Sequence, residues 1–242
     1  MSPLLLVDFD QTITTKDTIA LLGQFGLSLK QNKPWSFFVD NYLQDYNKVS
    51  IPDTHTDFRS YAASLDSYRP VEKASLERVS QYKVFEGLTR QQLFDQGAEH
   101  SKEYLRPHVI ETLQQHRDHV RIVSLNWSKD WIQGFLSELD IPKEHIYSNE
   151  LTFSNEGKCT GDIVPTILTA GDKQRVIETF KQGRRVIYIG DSLGDIEALV
   201  EADMGIIIGN NASLLSSLKT FGYHSLHRVD DWYQIQQLLE HK

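Results

Sequence analysis

The chain has 242 residues, 40% hydrophobic and 24% charged, with a formal net charge of −8, which suits an ordinary globular protein of one large domain or a core with a smaller insert. The negative balance and the lack of any basic cluster argue against a nucleic-acid or membrane-surface protein, and no apolar run approaches a membrane span. Cys159 is the only cysteine, so disulfides and cysteine-rich metal sites are excluded; the first residues lack the basic start of a targeting segment, and a cytoplasmic location is expected.

The first segment runs four apolar residues, Leu4 to Val7, into two carboxylates one residue apart, Asp8 and Asp10. A short continuous apolar run reads as a buried strand, and two adjacent anions at its end repel unless a cation joins them. From about 15 to 82 the chain is rich in aromatics and reads as amphipathic helices. Asp17 is placed to cap the first, which carries Ile19, Leu22 and Phe25. Pro34 opens a second with Phe37, Phe38 and Tyr42, and further helices are expected near 57–65 and 70–82. No strand-like alternation interrupts this stretch.

A helical segment over 88–104 leads back, and Pro107 opens a helix carrying Val109, Ile110 and Leu113. Residues 120–123 read as a buried strand ending in Ser124. Ser128 then caps a helix bearing Trp131, Ile132, Phe135, Leu136 and Leu139. Asn155-Glu156-Gly157 centres a hairpin over 151–163, and Lys173 begins the next helix. A third strand, 186–189, runs into Gly190-Asp191-Ser192-Leu193-Gly194-Asp195 and a helix with Ile196, Leu199 and Val200. A fourth strand, 204–208, precedes a last helix near 232–239. Strands alternating with helices predict an α/β fold, a Rossmann-like doubly wound parallel sheet covered on both faces.

Three of these strands end in polar residues: Asp8 with Asp10, Ser124, and Asp191 with Asp195. In an open parallel sheet the ligand site lies beyond the carboxyl ends of the strands, where these side chains would meet. Singly, each is an ordinary turn or cap residue, and Lys173 alone is an ordinary surface lysine. Together they supply what phosphoryl transfer needs: a nucleophile, a proton carrier and groups to neutralise the equatorial oxygens.

Asp8-Phe9-Asp10-Gln11-Thr12, Ser124 after its strand, Lys173 at a helix start and Gly190 to Asp195 resemble, in order, the four motifs of the haloacid dehalogenase superfamily. Gln11 departs from the glycine often found in the first motif. Asn149-Glu150-Leu151 and Gly157-Lys158-Cys159-Thr160-Gly161 are similar to the hairpin of the phosphoserine-phosphatase-like branch. Tyr188 to Asp195, Glu201-Ala202-Asp203-Met204-Gly205-Ile206 and Trp127 resemble the phosphatase domain of plant thiamin monophosphate phosphatase; its second, thiaminase-like domain has no counterpart in these residues. The resemblance implies a core of residues 1–14 and 101–242, with a helical cap, 15–100, inserted after the first motif.

It further implies Mg²⁺-dependent hydrolysis of a small phosphorylated metabolite, thiamin monophosphate among the candidates, with no nucleic-acid or membrane partner. Asp8 is the expected nucleophile, forming an aspartyl-phosphate, and Asp10 the general acid and then base. Mg²⁺ would be held by Asp8, Asp191 and the backbone oxygen of Asp10, with Asp195 binding through water or supporting the other ligands. Ser124 and Lys173 would bind phosphoryl oxygens. Asp17 and Trp127 would meet the rest of the substrate, a cationic leaving group suiting Asp17, while Thr12 braces the turn. The same core could serve a phosphotransferase or phosphomutase, in which a hydroxyl accepts the group, or a catalytically inactive regulatory binder. A dehalogenase would need no Mg²⁺ or acidic fourth motif, and a signalling receiver domain would be shorter and lack the helical insert.

Overall fold

The structure, a computed structural model, describes residues 2–52 and 54–240. β1 (Leu4–Val7) is followed by α1 (Ile19–Ser28), α2 (Trp35–Tyr46), α3 (Phe58–Leu65), α4 (Arg69–Gln81), α5 (Arg90–Tyr104) and α6 (Val109–Gln115). β2 (Val120–Val123), α7 (Lys129–Phe135) and β3 (Ile146–Tyr147) precede a hairpin of β4 (Glu150–Phe153) and β5 (Cys159–Val164). Then come α8 (Ala170–Lys181), β6 (Val186–Gly190), α9 (Ile196–Glu201), β7 (Met204–Ile208), α10 (Ala212–Thr220), β8 (His227–Val229) and α11 (Trp232–Glu240). Apart from the hairpin, the strands form one parallel six-stranded sheet in the order β3-β2-β1-β6-β7-β8.

β1 lies inside this sheet and is buried on both faces, which explains its unbroken apolar sequence. Leu5 and Val7 face one apolar layer with Ile187, Ile189 and Ile206, and Leu4 and Leu6 face the other with Val186, Tyr188 and Ile207. This is the period-two alternation of a strand with no polar face. The outer strands obey a weaker rule. β3 has two residues and β8 reads His-Arg-Val, so neither carries the apolar run that marks a strand, and both lie outside the sequence expectation.

Other boundaries differ for local reasons. α7 stops at Phe135 and does not run on to Leu139, which is buried beyond the helix end. α10 was not expected, although Asn211 caps it by accepting the Leu214 N–H at 3.1 Å. Lys173 is the fourth residue of α8 instead of its start, Thr169 taking the capping position. Thr18, not Asp17, is the N-cap residue of α1, while Asp17 Oδ1 accepts the Ile19 N–H at 2.8 Å.

The helices between β1 and β2 leave and return at one place. Thr14 pairs with Leu105, the Thr15 N–H donates to Tyr104 O at 2.7 Å, and the Arg106 N–H donates to Ile13 O at 2.9 Å. α5 packs on α7 where Gly97 and Gly134 cross; a side chain on either would collide with the backbone of the facing helix. Residues of α1, α2 and α4 roof the carboxyl end of the sheet, enclosing a cavity there. No described helix is long and apolar enough to cross a membrane.

Candidate active site

The Asp8 N–H donates to Ile189 O at 2.9 Å, carrying the β1–β6 ladder one residue beyond the strand. The chain then turns sharply. Gln11 takes the left-handed conformation, φ 61°, a region that glycine occupies without steric cost. Arg106 compensates: its guanidinium donates to Gln11 O at 2.8 Å and to Thr14 O at 3.2 Å. Trp232 Nε1 donates to Thr12 O at 2.9 Å, so the loop bearing both carboxylates is held from two sides.

Asp8, Asp191 and Asp195 offer carboxylate oxygens that all lie within 4.8 Å of one another. Lys173 Nζ sits between two of them, 2.6 Å from Asp8 Oδ1 and 2.7 Å from Asp195 Oδ1. The Thr12 hydroxyl lies 3.1 Å from both Asp8 Oδ2 and Asp191 Oδ1, and with one proton it can serve only one at a time. Asp195 has no free oxygen: Oδ1 also accepts from Tyr188 at 2.6 Å, and Oδ2 accepts from the N–H groups of Asp191 and Ser192 and from the Ser192 hydroxyl. It acts as the hub that shapes the turn after β6.

Three carboxylates against one ammonium leave an excess of two negative charges in a buried space. Burial, then the Asp195 charge, raises Asp8 well above its usual range and Asp191 to about 7. Burial also opposes ionisation of Lys173 and Asp195, but their mutual attraction outweighs it, holding the lysine high and Asp195 low. This is a donor set of hard oxygens short of positive charge, and it suits a divalent cation such as Mg²⁺.

Asp10 points elsewhere. Its Oδ1 accepts from the Thr18 N–H at 2.7 Å and the Thr18 hydroxyl at 2.6 Å, and its Oδ2 from Asn126 Nδ2 at 2.9 Å. Trp131 Nε1 donates to the same threonine hydroxyl at 3.1 Å, and the Asn126 N–H donates to Ser124 Oγ at 3.0 Å. Burial, then the charge of Asp17, outweighs these hydrogen bonds and raises Asp10 to about 6, a suitable value for a group that must both give and take a proton near neutrality.

The carboxylates and Lys173 open into a cavity of about 370 Å³, which is also lined by Ser124, Asp17 and Trp127. All eight residues singled out in the sequence therefore border one space or its immediate supports. Residues 5–199 match the haloacid dehalogenase-like hydrolase family. The chain belongs to that family.

Within the haloacid dehalogenase-like hydrolases the chain is similar to phosphoserine phosphatases in part of its sequence and in fold. It is 27% identical to a CTO1 family protein of Schizosaccharomyces pombe, over 90% of this chain and 86% of that one. Identity to the bifunctional TH2 protein, mitochondrial, of Arabidopsis thaliana is 24%, over 89% of this chain but 41% of that one. Human phosphoserine phosphatase is 29% identical over 43% of this chain and 47% of its own. A substrate-bound phosphoserine phosphatase structure shares the fold, with a TM-score of 0.59 and 16% identity over 98% of both chains.

Thr18, Asn126 and Tyr188 were not singled out by the sequence. Asn126 follows Ser124 by two residues and could have been noticed on that ground, but its partner Asp10 is 116 positions away. Tyr188 reads as one more apolar residue of a buried strand, and only the fold brings its hydroxyl to Asp195.

Proposed function

We propose that this phosphatase hydrolyses a small phosphomonoester with Mg²⁺ through an aspartyl-phosphate on Asp8. Asp8 attacks phosphorus as the bond to the leaving oxygen breaks, and Asp10 gives that oxygen its proton. Water then attacks the phosphoryl group, Asp10 takes the water proton, and phosphate leaves with Asp8 regenerated. Mg²⁺, held by Asp8, Asp191 and the backbone oxygen of Asp10, would offset the charge of the phosphate and the carboxylates. Asp195 orients Lys173 and the Asp191 turn. Lys173 and Ser124 hold phosphoryl oxygens, and the helical roof over the cavity, the cap within 15–100, excludes water during transfer.

The observation that carries this reading is the separation of the two acids of the first motif. Asp8 faces Lys173 and the acidic cluster, whereas Asp10 is held apart on Thr18 and Asn126 with its pKa raised to about 6. One is placed to attack and ligate, the other to carry a proton. The test is phosphate release from p-nitrophenyl phosphate with and without chelator; activity that persists after complete chelation contradicts the Mg²⁺ requirement. A panel of thiamin monophosphate, phosphoserine and phosphorylated sugars ranks the metabolite candidates.

A further inference from the structure

The loop that carries Asp8 and Asp10 is held in a conformation its sequence resists. Of the four described non-glycine residues with positive φ, Gln11 is the one that directly follows a reacting carboxylate. A side chain makes this left-handed region costly, because Cβ crowds the carbonyl oxygen that follows. The N–H groups of the turn are used within it: Gln11 donates to the Thr14 hydroxyl at 3.0 Å, and Ile13 and Thr14 donate to Phe9 O at 2.9 and 3.2 Å.

The carbonyls from Gln11 to Thr14 are met from outside the turn, and Arg106 meets three of the four. Its backbone N–H donates to Ile13 O at 2.9 Å. Its Nη2 donates to Gln11 O at 2.8 Å, and its Nε is shared between Gln11 O and Thr14 O, 3.2 Å from each. Trp232 takes the fourth, Thr12 O. Charge-assisted bonds are stronger than neutral ones, and the planar fork of a guanidinium suits two carbonyls at once. Arg106 also follows Leu105, which pairs with Thr14 where the helical roof rejoins the sheet.

We propose that Arg106 is a positioning residue for the nucleophile loop, made necessary by Gln11: it holds the Gln11 carbonyl in the left-handed turn and so fixes the direction in which Asp10 leaves Asp8. For its kinetic consequence the inference rests on the phosphomonoester reading above. Without Arg106, Gln11 escapes its crowded conformation by turning to negative φ, which rotates the Asp10–Gln11 peptide and misdirects the proton carrier. A glycine at 11 has no such reason to leave. Two residues 95 positions apart thus form one device.

The test is a double-mutant cycle on p-nitrophenyl phosphate hydrolysis, with Arg106→Met in the native chain and in the Gln11→Gly background. Arg106→Met is expected to lower kcat about tenfold in the native chain, the cost of the left-handed region, but less than about threefold beside Gln11→Gly. KM should change by less than about threefold in either background. An equal fall of kcat in both backgrounds, or no fall in the native one, overturns the proposal; a merely structural arginine gives one of these results. Where Arg106→Met does not fold, Arg106→Lys enters the same cycle, since an ammonium cannot span both carbonyls. If the native chain hydrolyses no ester, it is the phosphomonoester reading that fails. Crystal structures of the two Arg106 variants then decide the pairing: negative φ at Gln11 with the left-handed turn kept in the Gln11→Gly background supports it, and an unmoved Gln11 overturns it.

Discussion

Asn126 donates its side-chain amide to the Asp10 carboxylate at 2.9 Å, from the loop that follows β2. Its own carbonyl oxygen accepts the Trp127 N–H at 2.8 Å, so the amide cannot turn without losing a bond. A residue placed in this way controls the orientation and the proton affinity of Asp10.

Replacing it separates those effects from binding. Asn126→Ala is expected to lower kcat by about tenfold to a hundredfold, the value of a hydrogen bond to a charged group, with a smaller change in KM. The lost bond favoured the ionised form, so the pKa of Asp10 rises above its present value of about 6. The acid limb of the kcat–pH profile then moves upward. Thr18→Val, which removes the hydroxyl at 2.6 Å, shifts it in the same direction.

The acidic cluster makes stability depend on pH and on metal together. Asp191 has a folded pKa of about 7 against an ordinary value of 3.8, and Asp10 is raised as well. A carboxyl raised on folding binds more protons in the folded than in the unfolded chain, so stability falls as pH climbs from about 4 to about 7. The metal-free protein should be more stable at pH 5.5 than at pH 7.5, by on the order of a few kcal/mol, and should melt at a correspondingly higher temperature. Added Mg²⁺ should raise the melting temperature more at pH 7.5, where its ligands no longer hold protons.

Gly190 is required for space. A Cβ there would lie 2.5 Å from the Asp195 Cγ, forcing out the carboxylate that holds Lys173, Tyr188 and the turn at Asp191. Gly190→Ala is expected to cost about 1–3 kcal/mol, in the range of overpacked cores, and to abolish most activity. Urea unfolding measures the first effect, and an unchanged midpoint would contradict it.

Arg69 ties the helical roof to α8. Its guanidinium lies 2.9 and 3.1 Å from the two oxygens of buried Asp172, and it also reaches Asp66 and Thr169. Asp172 immediately precedes Lys173, so the tie ends beside the acidic cluster that Lys173 bridges. Arg69→Ala leaves a buried carboxylate short of a partner and is expected to cost about 1–3 kcal/mol. Arg69→Lys should recover only part of that, because an ammonium cannot reproduce the paired geometry. Thermal melts of the two variants check the order.

Much of this was legible in the chain because the central strands of a doubly covered sheet must be apolar throughout. The end of each run, at Asp8, Ser124 and Asp191, therefore stands out in sequence. β3 and β8 lacked that signal, since an edge strand has fewer apolar neighbours to satisfy. The supports of Asp10 were hidden for a different reason. Thr18 and Trp131 are 113 residues apart and meet only when the helical roof folds back over the sheet.

The most direct test of the account is covalent trapping. The chain is mixed with Mg²⁺ and a phosphomonoester, quenched in acid during turnover, digested and analysed by mass spectrometry. The account predicts a phosphoryl group on the peptide containing Asp8, and neither adduct nor phosphate release in Asp8→Asn. Steady phosphate release with no adduct, or an Asp8→Asn protein that keeps full activity, would contradict it.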